Sequence, residues 1–289
     1  MVSEVAKSYM TKAEKVASLV KLGIHPSETE TILSIYGGNG TTFTFGVEME
    51  CLVNWSKVIA NTRDTNITFE ARGYTHENSR KVFKFVPDGS LSGENNIECV
   101  SPVLENNEDG LKILKEACKA LNWENSKVNK SCGLHVHIGA SNLTDEQYAN
   151  VFANYAMLED VIDTFMAESR RNSRWCATLR GRGLENAYTK EDVQRCFIGR
   201  VATRTDWRGN GRYYKVNCMS WFGHQTIEFR QHGGTTNYTK ISNWVKFCAA
   251  LVEFSMNTRL TSKVNTIDEI PFLEKEQKDF FKKRQQELA

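Results

Sequence analysis

The 289-residue chain has no pair of cysteines at the C-x-x-C spacing, no long uncharged run and almost no net charge. Its eight cysteines stand singly, at 51, 99, 118, 132, 176, 196, 218 and 248, several on apolar positions of strand or helix patterns. That spacing excludes a paired-cysteine zinc site and a disulfide framework, and points to reduced core cysteines in a cytoplasmic protein. No stretch approaches the roughly 20 apolar residues of a membrane span, and the charges scattered through residues 1–23 break up the apolar run that a signal peptide needs. Lys and Arg number 37 against 35 Asp and Glu, a formal net charge of +2. This argues against a general nucleic-acid binder and leaves room for a local basic patch. No repeat and no low-complexity linker divides the chain, which is long enough to bury a substantial core.

What is present is organised around residues 42–53. Phe43, Phe45, Val47, Met49, Cys51 and Val53 share one parity, and Thr44, Gly46, Glu48 and Glu50 the other. A strand here has an apolar face and a face carrying two carboxylates. These sit roughly 6–7 Å apart and repel unless something positive lies between them. A hard divalent cation, Mg²⁺ or Mn²⁺, suits such oxygen ligands. Taken alone, the pair fits a half-exposed sheet facing water equally well.

The pattern recurs. Leu134, Val136 and Ile138 oppose His135 and His137; Ile227 and Phe229 oppose Glu228, Arg230 and His232. Glu98 opposes Ile97 and Cys99, and Lys215 and Asn217 oppose Tyr214, Val216 and Cys218. Several strands thus share an apolar face for helices to cover and a polar face gathering Glu48, Glu50, Glu98, His135, His137, Glu228 and Arg230. Like charges so crowded destabilise a sheet unless metal ions and an anion bind there, so the pattern predicts a basin for divalent metals and a polyphosphate.

The remaining elements follow from periodicity. Helices are expected over 3–22, ending at Gly23, and from Pro26 to before the Gly37–Gly40 cluster. Others are expected over 109–121, 142–168 (with Thr144 and Gln147 as a capping box), 190–197, 239–257 and, as a solvated charged tail, 274–289. Further strands are expected at 81–86, 96–101, 212–220 and 225–231, with a turn at Pro87-Asp88-Gly89-Ser90. Residues 54–80 read as polar and irregular. The sum is a single α+β domain with helices on one face of an antiparallel sheet.

In this order, Gly-Val-Glu-Met-Glu from Gly46, Pro-Asp-Gly-Ser from Pro87, Ile-Glu-Cys-Val-Ser-Pro from Ile97, Cys-Gly-Leu-His-Val-His from Cys132 and Thr-Ile-Glu-Phe-Arg-Gln-His-Gly-Gly-Thr from Thr226 resemble the putative amidoligase family. This is a branch of the carboxylate–amine ligase superfamily that includes glutamine synthetase and glutamate–cysteine ligase. The resemblance implies a curved, glutamine synthetase-like antiparallel sheet with helices on its convex face, and ATP with two or three Mg²⁺ in its concave face. It places the catalytic domain at 41–260, between an N-terminal helical extension, 1–40, and a C-terminal tail, 261–289. It implies metal ligation by Glu48, Glu50, Glu98, His135 and Glu228, and an Arg230 that faces the transferred phosphate. Asp88 and Ser90 match the family's Asp-Gly-Ser turn.

The implied activity is ATP-dependent formation of an amide or isopeptide bond through an acyl phosphate. Such chemistry needs metals on the phosphates, arginine on the moving phosphoryl group and a base for the amine proton, His137 or a carboxylate. Lys215, Asn217 and, in the arginine-rich stretch 170–183, Arg174 are candidate nucleotide or substrate contacts; the stretch also reads as a solvated basic loop. Residues 204–212 read as a mobile loop able to cover the site, and Trp207 and Trp221 as adenine stackers or core. The competing readings are a kinase on the same fold and an inactive nucleotide- or metal-binding member. The carboxylate and amine stay open, from small metabolite to peptide or protein side chain; nucleic acid is not expected, although a modified nucleobase fits. Oligomeric state is open as well.

Overall fold

A computed structural model describes residues 12–29, 43–73 and 82–289. The chain divides into one unit up to Thr42 and a second from Phe43 to Ala289. In the first, helix α1 (Lys12–Lys21) stops as expected at Gly23, whose φ of +87° is a left-handed backbone that glycine adopts without strain. The expected start of this helix, the end of the next one, the 37–40 glycine cluster and the beginning of the 81–86 strand lie outside the described residues.

The second unit is a mixed α and β structure built on one large, mostly antiparallel sheet. Its strands are β1 (Thr44–Leu52), β2 (Phe69–Ala71), β3 (Phe83–Val86), β4 (Asn96–Val100), β5 (Leu104–Glu105), β6 (Gly133–Gly139), β7 (Val216–Asn217) and β8 (Thr226–Gly233). They run in the order β2-β3-β4-β1-β6-β8-β7, with β5 against β1; among the described strands only β2 and β3 pair in parallel. The carboxylate strand β1 therefore lies in the interior of the sheet, between β4 and β6.

Alternation works here as a strand requires. Phe45, Val47, Met49 and Cys51 are buried in one apolar cluster with Leu134, Val136, Ile138, Ile227 and Phe229. That cluster is closed by α3 (Glu108–Trp123), α4 (Asp145–Thr164) and α8 (Tyr238–Ser255), which contribute Leu114, Phe152 and Phe247 among others. The Thr144–Gln147 capping box that starts α4 is formed in both directions.

Three expectations need correction. Residues 54–73 are not irregular: Asn54 caps a short helix α2 (Trp55–Asn61), and Phe69 of β2 stacks on Phe83 and Phe85. The 212–220 strand shrinks to Val216–Asn217, because Asn210–Arg212 forms a 3₁₀ turn and Ser220 opens a short helix α7 (Ser220–His224). The C-terminal helix, α9 (Lys275–Glu287), is not solvated all round, since Phe281 is buried against Phe165 of the α4 end and Phe247 of α8.

Candidate functional site

The polar face of the sheet forms a cleft of ≈ 670 Å³. Strand register brings its groups together: Glu48 stands opposite His135, Glu50 opposite Glu98, and His137 opposite Glu228. Residues far apart in the chain thereby become cross-strand neighbours, which no local pattern can announce. His135 Nδ1 lies 3.0 Å from Glu48 Oε2 and 3.7 Å from Glu228 Oε1, and its Nε2 lies 3.7 Å from Glu50 Oε1. Asn217 donates to Glu228 Oε2 at 2.5 Å, and Arg230 Nη1 to Glu228 Oε1. The backbone N–H of Gly133 donates to Glu50 Oε2. A side chain at Gly133 would meet Arg170 Nη2 at 2.9 Å and His135 Nε2 at 3.1 Å, so glycine keeps this wall open.

Three groups of ligand atoms lie close enough to share a cation: Glu48, His137 and Glu228; Glu48, Glu98 and His135; Glu50, Asp88 and Glu98. Within each, the atoms fall within 4.8 Å of one another. The electrostatics fit a cation. Burial, then Glu48, Glu50 and Asp88, push the Glu98 carboxyl well above the usual carboxylate range. Burial works the same way on Glu48, yet His137 and His135 outweigh it and hold Glu48 well below that range. Burial likewise acts to raise Glu228, but Arg230 and His137 bring it down. The His137 imidazole is raised, its burial being outweighed by Glu48 and Glu228. Buried polar atoms also lack partners: Nε of Arg230, Nε of Arg212 and Nε2 of His137, the last 3.3 Å from Glu48 Oε1 but off the line of a hydrogen bond. Crowded carboxylates could hold a divalent metal, and the unsatisfied donors beside them suit an anion.

Of the residues expected at the site, Glu48, Glu50, Glu98, His135, His137, Asn217, Glu228, Arg230 and Arg174 all line this cleft, as do Asp88 and Ser90, where Asp88 Oδ1 accepts from Ser90 N at 2.7 Å. Asn217 is already engaged in holding Glu228, and its Oδ1 accepts from Met219 N at 2.7 Å.

Lys215 is elsewhere. It is fully buried with its Nζ 2.7 Å from Glu159 Oε1 and 2.5 Å from Asp163 Oδ1 of α4, on the helix side. Strand β7 begins only at Val216, and Lys215 N bonds to Ala177 O, so the alternation that pairs Lys215 with Asn217 does not reach it. His232 is likewise displaced. A register shift between Leu134 and Val136 sets two residues of β8, Arg230 and Gln231, against His135, and beyond it His232 packs near Trp244 and bonds Gly233 O at 2.7 Å.

The arginine-rich stretch divides. Arg170 is buried at the cleft wall, donating from Nη2 to Arg230 O at 2.5 Å, and Arg174 lies over the Trp175 ring. Arg180 instead makes an outer ion pair with Asp160 at 2.6 Å, and Arg171 donates to Leu288 O at 3.3 Å. Trp207 lines the cleft, whereas Trp221 packs against Tyr148 under Lys190. In the 204–212 loop, Trp207 covers Gly223 so closely that a Cβ there would meet its ring at 2.2 Å. Arg212, Tyr213 and His224 line the cleft as well. Tyr213 continues the parity of Lys215 and Asn217 and Arg212 ends the expected 204–212 loop, whereas His224 lies in a short helix where no period marks which side chain points inward.

No curated protein matches the chain. A family model described as "Putative amidoligase enzyme" matches residues 41–252, which span every strand of the sheet and all the cleft residues named above, and the chain belongs to that family.

Proposed function

We propose that this chain is an ATP- and Mg²⁺-dependent carboxylate–amine ligase that forms an amide or isopeptide bond through an acyl phosphate. The observation that carries the reading is the set of three overlapping ligand groups on one sheet face with Arg230 at their edge, in a chain of the amidoligase family. A carboxylate resists attack by an amine because its leaving group would be oxide; a phosphorylated carboxylate releases phosphate instead. Glu48, Glu50, Glu98, His135 and Glu228 would hold Mg²⁺, or Mn²⁺, which when bound neutralises phosphate charge during transfer.

The chain's own residues do the rest. Arg230 is fixed by Glu228 and by the Arg170 bond to its backbone, and directs its unpartnered Nε at transferred phosphoryl oxygens. Arg212 offers a second free donor. His137, anchored through Nδ1 on Thr226 Oγ1 at 2.8 Å, presents Nε2 to take the amine proton. The carboxylates that raise the His137 imidazole favour its protonated form, and neutralising their charge would lower it again. The same reading makes the sheet a curved, glutamine synthetase-like one and the activity cytoplasmic, with a carboxylate and an amine as substrates, either of them a small molecule or part of a peptide or protein.

The test is calorimetric titration of ATP with Mg²⁺ into wild type and the Glu48→Ala, Glu50→Ala double variant. Metal-dependent binding lost in the variant supports the reading; a folded wild type that binds no nucleotide overturns it. In turnover, an amide with ADP and phosphate is expected. A stable phosphorylated acceptor would make the protein a kinase instead.

A further inference from the structure

Beside the main cleft lies a second cavity of ≈ 480 Å³, lined by Arg174, Trp175, Ala177, Tyr213 and Tyr214. Three of these, Arg174, Trp175 and Tyr213, also line the main cleft, so the two spaces share a wall. That wall is a ladder of rings and guanidiniums. The Arg174 guanidinium lies 4.5 Å from the centre of the Trp175 ring, Trp175 meets Tyr213 edge-on at 5.0 Å, and Arg212 lies 4.9 Å from the Tyr213 ring. Among the described residues no carboxylate lines the second cavity, and neither Arg174 nor Arg212 has an ion-pair partner. Arg212 Nε is buried with no hydrogen-bond partner among the described residues.

A planar group with an anionic tail fits this arrangement. Aromatic and guanidinium planes attract a heterocycle face to face, while unpaired arginines at the shared wall attract the charge that leads from it toward the carboxylate basin. We infer that the Trp175–Tyr213 cavity receives the base of the nucleotide, with its phosphates directed past Arg212 and Arg230 into the main cleft. This rests on the ligase reading above and adds to it the position of the base.

Several of the cavity's groups that could read the edge of a base are already engaged. Tyr213 OH accepts from Arg212 Nη2 at 2.8 Å, and Tyr214 OH donates to Phe197 O at 3.4 Å. Both backbone groups of Ala177 are used, its N–H on Tyr213 O and its C=O by Lys215 N. Recognition is therefore by ring faces, and discrimination between adenine and guanine is weak.

The experiment is titration of the full chain, in Mg²⁺, with ATP, GTP and inorganic tripolyphosphate, which carries the phosphates without a base. Wild type should bind ATP and GTP within a few-fold of each other and at least ~5-fold more tightly than tripolyphosphate, the low end of one stacked base. Trp175→Ala should bring both nucleotides down to the tripolyphosphate affinity and leave tripolyphosphate unchanged; Trp175→Phe should keep most of the preference. Wild type that binds ATP no better than tripolyphosphate overturns the inference while the ligase reading stands. So does a Trp175→Ala variant that keeps the preference, or that loses nucleotide and tripolyphosphate alike. Failure of all three ligands to bind folded wild type overturns both.

Discussion

Charged residues cluster on both sides of strand β8, and the two clusters differ in how completely their charges are answered. On the helix side, Lys215 lies between Glu159 and Asp163, Gln231 donates to Asp163 at 2.5 Å and accepts from Tyr155 OH, and Glu159 also accepts from Thr178 Oγ1 at 2.5 Å and Leu179 N at 2.9 Å. On the cleft side, Glu98 faces Glu50 across the strands, with Glu48 adding to the negative field at Glu98, and donors of Arg212, Arg230 and His137 have no partner. The first cluster is complete as a folded structure. The second leaves charges and donors unanswered, as the proposed metal and phosphates would require. Burial of charge is common to both, so what marks a site is charge left unanswered.

Breaking the complete cluster should have the largest effect on stability. Lys215→Met removes the fully buried cation between two carboxylates of α4 and leaves them only the half-exposed Arg180, and should cost about 3 kcal/mol in denaturant unfolding. A loss under 1 kcal/mol would mean that Lys215 is not what balances them. On the cleft side the loss should fall on chemistry: Arg230→Lys removes the planar fork and its Nε, and should lower turnover by roughly 10²–10³ with little change in the unfolding midpoint. Equal loss of stability and turnover would make Arg230 a structural residue.

Acid sharpens the contrast at the far end of β8. Burial takes the His232 imidazole down to about 4. Its folded pKa lies below the unfolded value of about 6.5, so between these two values the unfolded chain binds more protons and stability falls as pH falls. This group's stability is fully present above about 6.5 and lost as pH falls toward 4, on the order of 2 kcal/mol once its partial exposure is allowed for. His232→Gln should flatten the unfolding free energy over that window; an unchanged slope would place the acid sensitivity elsewhere.

Glu98 has the opposite sign. Its folded pKa is raised, so its contribution is present at low pH and lost as pH rises through the raised value. In the absence of metal, Glu98→Gln should therefore raise stability at neutral pH by up to about 1 kcal/mol. The same variant should abolish the proton release that accompanies Mg²⁺ binding to wild type, read from calorimetric heats in buffers of different ionisation enthalpy. A destabilised variant that still binds Mg²⁺ would remove Glu98 from the proposed ligand set.

Where strands are regular, parity alone placed the site. Glu48, Glu50, Glu98, His135, His137 and Glu228 were legible because each alternates with buried apolar neighbours in strands that the structure forms, and all line the cleft. Parity failed where strands end or bulge, at Lys215 just ahead of β7 and at His232 past the register shift. It gave nothing for Arg170, Arg212 and His224, which reach the cleft from turns and short helices, although Tyr213, on the parity of Lys215 and Asn217, does line it. Residues 54–73 were misread because a two-turn helix and a three-residue strand are too short for any period to emerge from their polar composition.

By itself the sequence determined which strands have a polar face, which residues stand on it and, through its ordered motifs, which family the chain belongs to, because side-chain alternation and motif order are properties of the chain. Only the tertiary structure decided which of those residues meet. Strand order and register bring Glu48 to His135 and Glu50 to Glu98, and the docking of α4 turns Lys215 into an internal counter-ion while Arg230 faces the cleft. These are long-range pairings, fixed by burying one apolar face against three helices, and the energy that selects them is spread over the whole core.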